Sequence, residues 1–300
     1  MSRPLPLALI QTAPRPAATA LPEFANEVRG LAADFPRTRM IIYPEYHTCG
    51  VDGATPEERT RQFNELAEPL DGPRVRRLAE VAKDVGRWLL PGTVIERGPN
   101  GELWNTAVVF SPEGELVAAY HKMFPWRPFE PWTPGRDFVV FDIPEVGRFG
   151  LSICYDAWFP EVFRSLAWMG AEVILNPALT TTCDRAQERV LARANAIVNQ
   201  VFMVTVNSAW PNGTGRSAVI DPEGHVRTES DGETPTILTD CIDLDDVTRV
   251  RKFGTNALDR PWSQFHPDEP PIELPIYQGQ IDPATWSQAL RGTPEMPAAR

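Results

Sequence analysis

Short apolar, β-branched runs punctuate this chain, each bounded by Gly, Pro or Asn, and their length marks them as strands rather than helices. They lie at Leu5 to Gln11, Met40 to Tyr43, Trp88 to Ile95, Thr106 to Phe110, Leu116 to Tyr120 and Phe138 to Ile143. Further runs follow at Phe149 to Ile153, Glu172 to Leu175, Val201 to Val206, Ser217 to Ile220 and Ile237 to Ile242. Segments of helical period fall between some of them: Leu21 to Asp34, Pro73 to Val85, Pro160 to Met169 and Asp184 to Asn199. Two of these open with Pro and one with Asp, residues suited to the start of a helix. The alternation predicts an α/β fold.

One stretch echoes another. Ala107-Val108-Val109-Phe110-Ser111-Pro112-Glu113-Gly114 resembles Ala218-Val219-Ile220-Asp221-Pro222-Glu223-Gly224, each a strand followed by a Pro-x-Gly hairpin turn. Such turns are common, so the echo leaves open whether the two halves are related. At the N-terminus, Pro6 breaks the apolar stretch, and Pro14, Arg15 and Pro16 precede Ala18-Thr19-Ala20, so Leu5 to Gln11 reads as a first buried strand rather than a signal sequence. Beyond Arg260, Pro261, Pro267, Pro270, Pro271, Pro275 and Pro283 interrupt any periodicity. This predicts one domain over residues 1–260 and a Pro-rich tail over 261–300, extended on a surface such as that of an oligomer.

Composition narrows the function classes. The 300 residues are 42 % hydrophobic and 23 % charged, enough for a substantial core. Twenty-nine Lys and Arg against 40 Asp and Glu give a net charge of −11, the wrong sign for a nucleic-acid partner. No run reaches the ~20 apolar residues of a membrane span, so no membrane association is expected. Cys49, Cys154, Cys183 and Cys241 show no C-x-x-C spacing, which suits reduced thiols in the cytoplasm. His47, His121, His225 and His266 lack metal-ligand spacing, and neither metal nor cofactor is expected.

Three residues at strand ends carry candidate chemistry. Cys154 follows Phe149 to Ile153 and precedes a helical segment, a bend that exposes a nucleophile and favours thiolate. Cys49, Cys183 and Cys241 read as buried and inert. Glu45 follows Ile41-Ile42-Tyr43-Pro44, where a desolvated carboxylate can act as a base. Lys122 follows Leu116 to Tyr120 and precedes the aromatic stretch Phe124 to Trp132, a place where a fixed cation can hold an oxyanion. Taken singly, each is more often a packing thiol, a surface glutamate or a snorkelling lysine. Arg185, Glu188 and Arg189 read as surface charges of an amphipathic helix, and Trp210 as either packing or a pocket wall.

Together the blocks resemble a family. Tyr43-Pro44-Glu45-Tyr46 with Gly50, then His121-Lys122, then Ser152-Ile153-Cys154-Tyr155-Asp156 with Phe159-Pro160-Glu161 are similar to the signature blocks of the nitrilase (carbon-nitrogen hydrolase) superfamily. The resemblance spans Ala8 to about Leu244 and implies a four-layer αββα sandwich that dimerises, or forms a larger even-numbered homo-oligomer. It also implies Glu45 as general base, Lys122 as oxyanion stabiliser and Cys154 as nucleophile, with the Tyr155 N–H as second oxyanion donor. The stretch Lys122 to Gly135 is similar to the matching loop of aliphatic amidases and formamidases, which implies that Glu130 orients a substrate amide. Tyr46, Trp126, Tyr155 and Trp158 flank these positions and are expected to bind substrate. The resemblance thus implies cysteine-dependent hydrolysis of a small carboxamide to acid and ammonia through a thioester.

The Cys154 to Glu161 block is closer to that of carbamoylases, which makes an N-carbamoyl hydrolase the alternative. True nitrilases carry Trp-Glu after the nucleophile where this chain has Tyr155-Asp156. An inactive scaffold of the same fold is the non-enzyme alternative, against which the intact set of Glu45, Lys122, Glu130 and Cys154 stands.

Overall fold

The computed structural model describes residues 2–51, 55–274 and 276–281. Strand β1 (Pro4–Gln11) leads into helix α1 (Ala20–Asp34), β2 (Met40–Ile42), α2 (Pro56–Leu66), α3 (Pro73–Val85), β3 (Trp88–Leu90) and β4 (Thr93–Arg97). There follow β5 (Leu103–Phe110), β6 (Leu116–His121), β7 (Val140–Ile143), β8 (Gly147–Leu151), α4 (Pro160–Trp168), β9 (Val173–Ala178) and α5 (Arg185–Asn199). The set closes with β10 (Phe202–Asn207), β11 (Ala218–Ile220), β12 (Val226–Glu229), β13 (Thr236–Asp243) and α6 (Asp245–Phe253).

The strands form two mixed sheets. One runs β13-β1-β2-β3-β5-β4 with β6 on β5, the other β12-β11-β10-β9-β8-β7. Leu5, Leu7 and Leu9 of β1 face a shared core with Leu151, Val173, Leu175 and Val204 of the second sheet. The alternate residues Ala8 and Ile10 lie under helix residues Phe24, Val28, Leu78 and Val81. Because both faces are covered, β1 reads as an unbroken apolar run. With α1 and α3 on the first sheet and α4 and α5 against β8 and β10 of the second, the order of layers is αββα, as expected.

Several expected boundaries move. Trp88 to Ile95 is two strands, not one, because Pro91-Gly92 breaks the run and Gly92 takes φ +91. Helices α2 and α6 went unforeseen. Thr55 caps α2 with a reciprocal bond to Glu58, a signal present in Thr55-Pro56-Glu57-Glu58. The echoed hairpins do match in detail: Gly114 and Gly224 take φ +82 and +83, and each donates its N–H to the residue three back at 2.9 Å.

The chain divides near Pro261 into two units. From there on, the described residues are mostly exposed and carry short 3-10 turns at Pro261–Ser263 and Ile276–Gly279. The rest of the Pro-rich tail, including Pro275 and Pro283, lies outside the described residues. Among the described residues no helix is long and apolar enough to cross a membrane.

Candidate active site

The ends of β2, β6, β8 and β9 bring together the three side chains that the sequence singled out. Lys122, one residue beyond β6, is fully buried, and its Nζ donates to Glu45 Oε1 at 3.1 Å and to Glu130 Oε1 and Oε2 at 2.9 and 2.8 Å. An ammonium has three hydrogens, and all three are met by carboxylate oxygens. Glu45, also buried, accepts on Oε1 from Asn105 Nδ2 at 2.7 Å and on Oε2 from the Leu179 N–H at 2.9 Å. Glu130 accepts from the Trp126 N–H at 2.6 Å and from Tyr46 OH at 2.9 Å. Tyr46 OH in turn accepts from Asn105 Nδ2 at 2.7 Å and Trp132 Nε1 at 2.6 Å.

Cys154 opens a 3-10 turn (Cys154–Trp158) directly after the β8 end, with φ +45, a strained angle for a residue with a Cβ. Its half-buried Sγ lies 3.9 Å from Thr180 Oγ1. Asp156 holds that turn: it accepts from the Ile153 N–H at 2.8 Å, Tyr120 OH at 2.8 Å and the Phe124 N–H at 2.9 Å. One carboxyl therefore ties the nucleophile turn to β6 and to the aromatic loop. Burial pushes Asp156 up to about 6 against these donors.

The electrostatics correct one expectation. Burial raises the Cys154 thiol well above its ordinary value, the Glu45 charge adds to this, and Lys122 only partly opposes it. The surroundings of the bend thus disfavour the thiolate rather than favour it. Glu45 is itself raised, chiefly by burial, with Lys122 pulling the other way. Burial disfavours the Lys122 charge, but Glu130 and Glu45 more than offset this and hold its pKa well above the usual lysine range. Two carboxylates around one ammonium already leave a negative charge uncompensated, and a thiolate would add another. A negative charge is thus disfavoured on the sulfur and on Glu45 alike, which suits a base that takes up a proton only as a reaction begins.

The remaining expected residues fall into place unevenly. Tyr46 sits in the network through its hydroxyl, while Trp126 contributes its backbone N–H and sets its ring tilted against Phe129, centroids 4.4 Å apart. Tyr155 and Trp158 are half-buried with ring centroids 6.3 Å apart, and Trp158 Nε1 is buried with no partner. Phe124 stacks on Phe159 at 3.6 Å, and Trp132 is buried against Phe63.

Three expectations fail. Trp210 is 66 % exposed, neither packed in the core nor enclosed by the described residues. Cys183 and Cys241 are exposed rather than buried, Cys183 because it precedes α5 in a turn and Cys241 because it lies on β13, where exposed and half-buried positions alternate. Arg185 and Glu188 are buried, because Thr180 and the loop carbonyls of Gly215 and Arg216 cover the N-terminus of α5. Asn105, Thr180 and Asp156 were missed as site residues. Among them only Asp156 carried a local signal, two residues past Cys154. Among the described residues no group of His, Cys, Asp and Glu could hold a metal ion.

Comparison with known proteins adds to this geometry. A family described as carbon-nitrogen hydrolase matches residues 7–252. A formamidase of Pseudomonas syringae pv. syringae is 30 % identical over 214 residues, 70 % of this chain and 60 % of that protein. A formamidase of Bacillus thuringiensis is 32 % identical over 193 residues, 64 % of this chain and 56 % of its own length. The chain thus spans somewhat more than half the length of these curated relatives. Among solved structures, Saccharomyces cerevisiae Nit3, a member of branch 10 of the nitrilase superfamily, matches with a TM-score of 0.73 at 25 % identity, covering 83 % of this chain and 94 % of that one.

Proposed function

This chain belongs to the carbon-nitrogen hydrolase family, the nitrilase superfamily, and from that premise we propose that it hydrolyses a small carboxamide to a carboxylic acid and ammonia through a thioester on Cys154. One observation carries the reading: a buried ammonium, Lys122, lies 3.1 Å from Glu45 and 2.8 Å from Glu130 at the site that Cys154 completes. An amide carbonyl is a poor electrophile and ammonia a poor leaving group, so nucleophile, proton carrier and oxyanion partner must act together.

Glu45 takes the Cys154 proton as Sγ attacks the carbonyl carbon. The Lys122 ammonium and the Tyr155 N–H stabilise the oxyanion. Collapse breaks the carbon–nitrogen bond while Glu45 passes its proton to the departing nitrogen, which leaves as ammonia. Water then gives a proton to Glu45 as it attacks the thioester, and that proton returns to sulfur when the acid departs. Glu130 accepts from the substrate amide N–H and sets its orientation, with Tyr46, Trp126, Tyr155 and Trp158 around it. The formamidase relatives favour formamide or a short aliphatic amide. An N-carbamoyl substrate is the second reading, favoured by the Cys154-Tyr155-Asp156 block. We propose further that residues 1–260 form the hydrolase unit and that the enzyme acts in the cytoplasm as a homodimer or larger even-numbered homo-oligomer.

Ammonia release from a panel of short amides, ureido acids and nitriles tests this. Release from short amides, lost in Cys154→Ala with the fold retained by circular dichroism, is the expected result. Equimolar ammonia and carbon dioxide from a ureido acid selects the second reading. No ammonia from any amide or ureido compound, or full activity in Cys154→Ala, overturns both.

A further inference from the structure

We propose that Thr180, held by the buried Arg185–Glu188 pair, is a positioning residue that accepts the S–H of Cys154 and keeps the resting nucleophile an aimed thiol; this rests on the reading of Cys154 as nucleophile. Thr180 follows β9, and its backbone is clamped. Its N–H donates to Asn207 Oδ1 at 2.8 Å, and its carbonyl accepts from Thr214 N and Oγ1, each at 2.9 Å. Its hydroxyl lies 2.8 and 3.1 Å from the two oxygens of Glu188. Arg185 Nη1 donates to Glu188 at 3.0 Å, and its Nε and Nη2 donate to the carbonyls of Gly215 and Arg216 at 3.1 and 2.8 Å. Arg185, Glu188 and Thr180 are each 5 % exposed.

This chain of bonds assigns the hydrogens. A carboxylate paired with a guanidinium only accepts, so the Thr180 hydroxyl proton points at Glu188. What Thr180 turns toward Cys154 Sγ, 3.9 Å away, is a lone pair. A thiol can donate to it; a thiolate finds no donor there unless Thr180 lets go of Glu188. The charged groups facing the sulfur act in the same sense. Glu45 beyond β2, Glu130 in the aromatic loop and Glu188 on α5 oppose a negative sulfur, while Lys122 beyond β6 favours it. The neighbouring Leu179 N–H holds Glu45. Two consecutive residues after β9 thus register the base and the nucleophile, which come from different sheets. The sulfur stays protonated until a carbonyl arrives and Glu45 takes the proton in the attack.

Alkylation of Cys154 by iodoacetamide in the full-length protein, followed site by site with mass spectrometry from about pH 7 to 9, reads the thiolate fraction. Glu188→Gln can donate to Thr180 and frees its hydroxyl to turn toward sulfur, so the Cys154 rate rises about tenfold, one pH unit in midpoint. Thr180→Val removes the acceptor while leaving the Arg185–Glu188 pair in place, and its rate rises in the same direction. Thr180→Ser restores the wild-type profile. A Thr180→Val protein with the wild-type profile overturns the proposal, as does Thr180→Ser behaving like Thr180→Val. Because Thr180→Val breaks no ion pair, it carries the test even where Glu188→Gln does not fold. Alkylation needs no amide turnover, so a failed amide panel defeats the proposed function and leaves this result to be judged separately.

Discussion

At the residue scale, the proposed chemistry turns on a buried carboxyl, Glu45, beside the Lys122 ammonium. Glu45 is buried and raised above its ordinary 4.5, chiefly by desolvation. As the proposed base it must be ionised, so the acidic limb of kcat/KM should have its midpoint above 4.5. Glu45→Gln should flatten that limb and lower kcat/KM by ~10² or more, as measured by ammonia release across pH. The sign for stability is opposite. A carboxyl whose folded pKa is raised costs nothing below its unfolded value, and stability is lost as pH rises from there through the folded value. Glu45→Gln relieves that cost near neutral pH, while its amide NH2 leaves one of the donors to Glu45 without an acceptor, so its urea midpoint should stay close to that of wild type while activity is nearly lost. An activity loss matched by a stability loss would point instead to simple misfolding.

At the element scale, the loops after β2 and β3 lean on one another. The Gly92 φ of +91 breaks the apolar run at Pro91-Gly92, and a Cβ there would lie 1.9 Å from the Pro44 carbonyl oxygen, next to Glu45. Gly92→Ala should cost about 2 kcal/mol or more in urea unfolding and should depress kcat through displaced Glu45. The core strands and helices α1 and α3 to α5 were legible because both faces of each sheet are covered and the apolar period is unambiguous. Glu45, Lys122 and Cys154 were legible because each ends such a strand. Arg185 and Glu188 were not: an i,i+3 ion pair on an amphipathic helix has the sequence of a solvated face. What buries it is a loop some thirty residues away, around Gly215 and Arg216. Asn105 was hidden for a like reason, because it lies in mid-strand on β5 and acquires its role only when Glu45 is brought opposite it.

At the scale of the whole molecule, the outer layer on the second sheet exposes large apolar side chains. Helices α4 and α5 lie side by side, with Arg164 Nη2 donating to the Val198 carbonyl at 2.8 Å. Across them Trp168 is 77 % exposed, Val190 66 % and Ile197 48 %. Val190 and Ile197 are seven residues apart and share one face of α5. Single exposed apolar side chains are ordinary, but two on one face of α5, with a third on the adjoining helix, are what a covering surface would bury. A second copy of this layer would cover it symmetrically, as a two-fold interface requires. The net charge of −11 makes added negative charge on such a face doubly unfavourable for self-association. The wild-type protein at micromolar concentration should scatter light as a dimer or larger even-numbered assembly. Val190→Asp with Ile197→Asp should shift it to monomer with the secondary structure unchanged. A wild-type monomer, or a doubly substituted protein that assembles as well as wild type, would move the interface away from α4 and α5 and leave their apolar residues as surface packing alone.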